Sequence, residues 1–158
     1  MNNQLLEPYW YTLARREIGI KEIPGPDNNS RILDYHSITH LKDTTDLLPW
    51  CSSFACWCME QAGILSPRSA RARDWSTWGV TLTIPQLGAP TLLTRGVGDQ
   101  AHIGFYAGQD PTHVHILGGN QHDQVCYTKF PKVMVISYRW PTEEAMNKIS
   151  CMPGDETI

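Results

Sequence analysis

The feature of this sequence that most constrains its fold is a change of periodicity near residue 80. Before it, apolar residues recur every three or four positions, as in amphipathic helices; after it, short apolar runs alternate with turn residues, as in strands. These patterns predict helices at 5–19, from Ser30, from Trp50 to Gly63 and at 69–79, then strands at 90–95, 101–108, 113–119, 124–130 and 133–140. Helices followed by strands indicate an α+β domain, with N-terminal helices packed on an antiparallel β-sheet and the third helix against that sheet.

The length of 158 residues fits one domain that buries a core of its own. We place this domain at residues 1–141, with a polar link at 41–46. Residues 142–158 form a polar C-terminal tail without a clear apolar stripe, and we expect the tail to be partly disordered.

Charge and hydropathy argue against two classes of partner. A net charge of −3 does not suit a nucleic-acid surface, which usually shows clustered Lys and Arg. The longest apolar runs are a few residues, so no membrane-spanning helix is predicted. The N-terminus has no basic segment followed by an apolar stretch, so we expect no signal peptide and synthesis in the cytoplasm.

Among the cysteines, Cys51 is the candidate for chemistry. It follows Pro49-Trp50 and opens a predicted helix, where unpaired backbone N–H groups and the positive end of the helix dipole favour a thiolate. The same N–H groups can hold the oxyanion of a tetrahedral intermediate. The alternative is a buried structural cysteine, an interpretation that suits Cys56 and Cys58. The odd number of cysteines argues against a disulfide framework. The five cysteines are Cys51, Cys56, Cys58, Cys126 and Cys151.

His102 is the candidate base for this thiol. It begins a predicted strand, and alternation places His102 and Gly104 on the side opposite Ile103. Such a histidine can point at the helix start that bears Cys51, although a surface or cross-strand histidine is the alternative. A third group should accept the other imidazole N–H. Asn120, after two glycines in LGGNQ, is the first candidate, with His115 and Gln121 as rivals; Asn120 can instead be a turn residue.

The histidines do not form a convincing metal site. His36 and His40 are four residues apart, but the glutamate of an HExxH peptidase is missing between them. His113, His115 and His122 cluster in the strand region without a carboxylate pattern. We therefore expect no metal and no other cofactor.

In order along the chain, PWCSSFACWCMEQAGI, AHIGFYAG and LGGNQ resemble the cell-wall cysteine hydrolases of the NlpC-type and CHAP superfamily. EIGIKEIPG, SARARDWSTWG and SYRWP extend the resemblance, which covers about residues 9–141. It is strongest to a subgroup of small, single-domain bacterial and phage proteins related to lysins and secreted antibacterial toxins.

The resemblance implies a papain-like fold and a set of site residues. Cys51 matches the nucleophile, His102 the general base and Asn120 the third polar residue. Many NlpC-type relatives use a second histidine in the third position, and His115 is its nearest equivalent here. The residues that can line the substrate groove are Trp50, Ser52, Tyr35, Trp75, Trp78 and Gln121. Aromatic side chains at such spacings are more often part of the core, which is the alternative for the tryptophans and the tyrosine.

Family members hydrolyse amide bonds of peptidoglycan stem peptides, which gives the first functional hypothesis. The chain is then a D,L-endopeptidase that cuts between D-Glu and diaminopimelate, acting as an antibacterial effector or lysin. The alternatives are an N-acetylmuramoyl-L-alanine amidase of the same fold, a catalytically silent wall-binding module, and an intracellular cysteine hydrolase or acyltransferase.

The first hypothesis places the substrate outside the cytoplasm. Without a signal peptide, delivery to the periplasm or cell wall then requires a type VI secretion apparatus or phage-induced lysis. An effector of this kind implies a cognate immunity protein in the producing cell as a further partner.

Overall fold

The computed structural model describes residues 7–24, 27–40, 49–96, 98 and 100–150. The polar link at 41–46, Cys151 and the end of the tail lie outside the described residues. Within them, the chain is α+β, as the change of periodicity predicts.

Three helices form the N-terminal half. Helix α1 spans Tyr9–Arg16, α2 spans Ser30–Ser37 and α3 spans Cys51–Gln61. The sequence suggested Ser30 as the cap of helix α2, but the cap is Asn29. The Asn29 side chain accepts a hydrogen bond from Arg31 N–H at 2.9 Å. Gly63 follows α3 with a φ of 80°, the left-handed conformation typical of a residue that ends a helix.

The predicted fourth helix is a short 3-10 helix at Ala72–Thr77. The strands are β1 (Val80–Leu82), β2 (Pro90–Thr94), β3 (Ala101–Gln109), β4 (His113–Gln121), β5 (Gln124–Pro131) and β6 (Val135–Trp140). They form an antiparallel sheet in the order β1-β6-β2-β3-β4-β5. The sequence pattern did not predict β1, which has only three residues. It also placed residues 133–134 in a strand, whereas Lys132–Met134 form a second 3-10 helix.

Helix α3 lies at the centre of the molecule, in contact with α1, α2, β3 and β4. Because it is covered on several sides, it is apolar around most of its circumference and has no polar face. Phe54 packs there against the sheet residues Ile103, Phe105 and Leu117. The opposite face of the sheet carries a smaller cluster formed by Leu93, Val114 and Ile116. The third helix is therefore packed on the sheet, as predicted.

The C-terminal tail was expected to be partly disordered, but its first part forms a helix. Residues Glu143–Ser150 form helix α4, and Ala145 packs against the main core. Among the residues described, no helix is long and apolar enough to cross a membrane.

Candidate active site

Cys51 is the first residue of α3. The first backbone hydrogen bond of the helix joins Phe54 N–H to the Trp50 carbonyl at 2.9 Å, so the N–H groups of residues 51–53 have no acceptor within the helix. The start of the helix is held in place by Trp50, which is fully buried and donates from Nε1 to Glu22 Oε1 at 2.8 Å. The thiol therefore stands at the positive end of a rigid helix, where a negative charge is favoured.

His102 lies near the beginning of β3 and is 2% exposed. Its imidazole packs on the Phe130 ring, with 5.3 Å between the ring centroids. Nε2 is 2.9 Å from Gln121 Oε1. Nδ1 is buried and has no conventional hydrogen-bond partner among the described residues, and Cys51 interacts with this imidazole. Because Gln121 engages Nε2, Nδ1 is the ring nitrogen left for the thiol.

Gln121 fixes the tautomer of His102. Its amide nitrogen donates to the backbone carbonyls of Ile116 at 3.1 Å and Cys126 at 2.6 Å. With both amide hydrogens engaged, the Gln121 oxygen faces His102 and can only accept, so Nε2 of His102 must carry a hydrogen. In the neutral imidazole, Nδ1 then carries a lone pair and is able to accept the proton of Cys51.

The two glycines of LGGNQ make room for this arrangement. A Cβ on Gly118 would lie 2.6 Å from Gln121 Oε1, and a Cβ on Gly119 would lie 2.7 Å from the Trp50 ring. Both distances are too short for real contacts, so any larger residue would displace either the amide or the tryptophan that holds the start of α3. The two glycines therefore permit a close approach, as the sequence indicates, and the groups that approach them are the Gln121 side chain and the Trp50 ring.

The surroundings of Cys51 favour its ionised form. Burial raises the pKa of the thiol, but the charge of the neighbouring His102 imidazole, the Ile103 N–H and the charge of Arg95 together bring it below the ordinary value. Burial raises the pKa of Cys56 and, further, that of Cys58. Of these three thiols on α3, only Cys51 is poised to react as a thiolate.

We expect Cys51 to be the first of the α3 cysteines to be alkylated by iodoacetamide at about pH 6.5, where an ordinary thiol is almost fully protonated. Its reactivity should fall as the pH drops through its lowered pKa. His102→Ala should move this profile to higher pH, because it removes the main cause that lowers the pKa. Peptide mapping by mass spectrometry across a pH series measures both effects. Equal reactivity of Cys51 and Cys58 at low pH would contradict the assignment.

Two adjoining clefts open on the Cys51–His102 pair. One, of about 570 Å³, contains Cys51, and the other, of about 250 Å³, contains His102. Arg95 and Asn120 line both, so the two clefts meet at these residues, and we refer to the two clefts together as the groove. A substrate lying in this groove would present its reacting bond to the thiol and the imidazole together.

The structure separates the three candidates for the group that orients His102. Gln121 makes the contact, whereas Asn120, the first choice, lines the groove with a φ of 55° and forms no hydrogen bond to His102 among the described residues. His115 lies toward the other end of β4, where its Nε2 is 3.1 Å from Asp110 Oδ2. Of the three candidates, Gln121 is therefore the one that contacts His102 among the described residues, and Asn120 and His115 do not.

Four of the expected groove residues are buried and do not line it. Tyr35, Trp50, Ser52 and Trp75 are all fully buried, and their polar atoms are used inside the protein. The Tyr35 hydroxyl donates to Glu17, while Trp75 Nε1 donates to Ser52 Oγ, which in turn donates to the Ser69 carbonyl. Trp78 is half-buried and lines a separate cavity. The four buried residues therefore belong to the core around the start of α3, which is the alternative that the sequence left open for the aromatic residues.

The sequence analysis missed the basic residues of the groove. Arg71, Arg73 and Arg95 line the cleft that contains Cys51. Arg71 and Arg73 flank the buried Ala72 in the sequence RAR. This pattern indicates one buried residue between two residues that face outward. Arg95 has no such signal, because its position depends on the pairing of β2 with β3.

No protein-family model and no curated protein matches this chain. In the part of the chain that the structure describes, no group of three or more His, Cys, Asp and Glu side chains is arranged to hold a metal ion.

Proposed function

We propose that this protein is a cysteine hydrolase of amide bonds, with Cys51 as nucleophile, His102 as general base and acid, and Gln121 as the residue that orients His102. The observation that carries the proposal is the hydrogen bond between His102 Nε2 and Gln121, which leaves Nδ1 to the thiol at the start of α3. An inert core cysteine would need neither a lowered pKa nor a buried imidazole beside it.

The proposed reaction has two halves. In the first, the Cys51 sulfur attacks the amide carbonyl while its proton is held on His102 Nδ1, and the helix N–H groups stabilise the oxyanion. The C–N bond then breaks, and His102 gives its proton to the leaving amine. In the second half, His102 takes a proton from water, whose oxygen attacks the thioester carbonyl. The C–S bond breaks, the acid is released and the proton returns to the Cys51–His102 pair.

We further propose that the fold is papain-like and that the substrate is the peptidoglycan stem peptide, cleaved between D-Glu and diaminopimelate. The order of PWCSSFACWC, AHIGFYAG and LGGNQ supports this assignment, since these segments contribute the nucleophile, the base and the orienting amide. Cleavage between muramic acid and L-Ala is the second candidate. As an antibacterial effector or lysin, the protein would reach the wall through a secretion apparatus or by lysis, and an effector would have an immunity protein that covers the groove.

Digestion of purified diaminopimelate-type peptidoglycan, followed by mass spectrometry, tests the proposal. Ala-Glu stubs left on muramic acid would establish the D,L-endopeptidase, whereas bare glycan and intact stems would establish the amidase. Protein carboxamidomethylated at Cys51 is the control and should release nothing. If folded, unmodified protein releases no fragments either, wall hydrolysis is contradicted in favour of a silent binding module or a different amide substrate.

A further inference from the structure

The cleft beside Cys51 is cationic although the whole chain carries a net charge of −3. Arg71, Arg73 and Arg95 line it, and no carboxylate is found among its lining residues within the described ranges. The described lining of the adjoining cleft at His102 has no carboxylate either. Such a concentration of one charge in a concave site attracts a ligand of the opposite charge.

The segment with the first two arginines is held firmly at the edge of the groove. The Ser69 carbonyl accepts a hydrogen bond from Ser52 at 2.6 Å, which ties this segment to the start of α3. Trp75 and Ala72 are buried beneath it. Arg71 is partly neutralised by Asp74, at 3.7 Å. The segment therefore supplies a fixed positive rim.

Arg95 is the arginine placed closest to the chemistry. It follows β2, and the preceding residue, Thr94, pairs with Ala101, which directly precedes His102. Its charge acts on the Cys51 thiol, and its side chain lines both halves of the groove. The ion pairs formed between described residues do not include Arg95. Its guanidinium is therefore exposed to whatever occupies the groove.

Resting on the proposed function, we infer that Arg95 binds a free carboxylate of the substrate close to the scissile amide, and that it makes the enzyme prefer acidic peptides to their amidated counterparts. A guanidinium binds a carboxylate through two parallel hydrogen bonds, a match that a primary amide cannot reproduce. The half of the groove that contains His102 adds two apolar side chains, Phe130 and Met134, beside this guanidinium.

The first test uses Cys51 itself as the reporter and needs no hydrolysis. Iodoacetate carries a carboxylate, while iodoacetamide is its neutral amide, so the ratio of their reaction rates with Cys51 measures binding of the anion. Any change in the thiolate fraction affects both reagents alike and cancels in the ratio. Arg95→Gln should lower the iodoacetate-to-iodoacetamide ratio about tenfold, since it removes the steering charge.

Arg16→Gln is the matched control, because it removes the same charge from an exposed position on α1. Its ratio should equal that of the wild type. In the wild type alone, raising the salt concentration to about 0.5 M should reduce the ratio, because the attraction is screened. An unchanged ratio in Arg95→Gln, or an equal fall in Arg16→Gln, would overturn the inference. If Arg95→Gln does not fold, a salt-independent ratio in the wild type would overturn it.

The second test compares stem peptides that differ only in whether the carboxylate of D-Glu is free or amidated. The wild type should show a kcat/KM about tenfold higher for the free acid, and Arg95→Gln should lose this preference. Equal cleavage of both peptides by the wild type would refute the carboxylate preference while leaving the hydrolase intact. Absence of any cleavage together with a positive alkylation result would refute the hydrolase and leave the anion site standing.

Discussion

Cys51→Ala should lower amide hydrolysis by at least about 10³-fold, because Cys51 is the one thiol among the described residues that line the groove. The folded structure should persist: the change removes one sulfur atom at the edge of a cleft and leaves the hydrogen bonds of Trp50 and Ser52 in place. The measurement is the release of new amine groups from peptidoglycan, together with a thermal unfolding curve. We expect the unfolding midpoint to move by only a few degrees, about the shift of a 1 kcal/mol change in a domain of this size.

Cys58→Ala is the matched control for this experiment. Its sulfur is also buried on α3, but it lies two turns from the groove, and its pKa is raised well above the ordinary value. This variant should be less stable, because it leaves a small cavity in the core, yet it should keep its activity. A Cys51→Ala protein that retains a tenth of the wild-type rate would show that the nucleophile lies elsewhere. If the Cys58→Ala protein is folded but inactive, loss of activity in Cys51→Ala no longer identifies Cys51 as the nucleophile.

The positions of Cys51 and His102 were accessible from the sequence because each begins a regular element. The Pro-Trp pair before Cys51 and the apolar run after it place the cysteine at the first residue of α3. Likewise, the alternation of AHIGF turns Ile103 and Phe105 toward α3 and leaves His102 on the other side of β3, with Leu93 as its partner on β2. Local periodicity therefore places each residue at the start of its element, whereas their meeting depends on how α3 packs against β3.

Gln121, named from the sequence only as a rival of Asn120, contacts His102 because β4 is irregular at its end. In a regular strand, Gly118 and Asn120 share the face of His102, and Gln121 belongs to the face of α3. The register shifts between Gly118 and Gln121, where Asn120 adopts the left-handed conformation. This bulge carries Gln121 across to His102, since inserting one residue into a strand exchanges its faces. No periodicity in the sequence reveals it.

The groove was harder to predict, because it depends on distant pairings. Arg95 lines the cleft of Cys51 because β2 pairs with β3, and Arg71 and Arg73 line it because the Ser52 hydroxyl holds the Ser69 carbonyl. Tyr35, Trp50 and Trp75 were candidates for the groove, but each is buried and uses its polar atom in a hydrogen bond within the protein.

Gln121→Leu should lower kcat by about 10²-fold with little effect on KM, because His102 loses the acceptor that fixes its tautomer and orientation. Asn120→Gly, which suits the left-handed backbone, should cost less than about fivefold. Assays should run well below the unfolding midpoint, since Gln121→Leu also leaves the carbonyls of Ile116 and Cys126 without their donor, at about 1–3 kcal/mol each.

Gln121→Glu separates orientation of the imidazole from a purely structural role of this side chain. The carboxylate can still accept from His102 Nε2 but can no longer donate to the two carbonyls. If Gln121 acts by positioning His102, Gln121→Glu should recover at least about tenfold of the activity lost in Gln121→Leu, because the imidazole N–H regains an acceptor. The pH profile of Cys51 alkylation should move back toward that of the wild type as well. Equal inactivity of both variants while folded, or a larger loss in Asn120→Gly, would return the orienting role to Asn120 or to the fold itself.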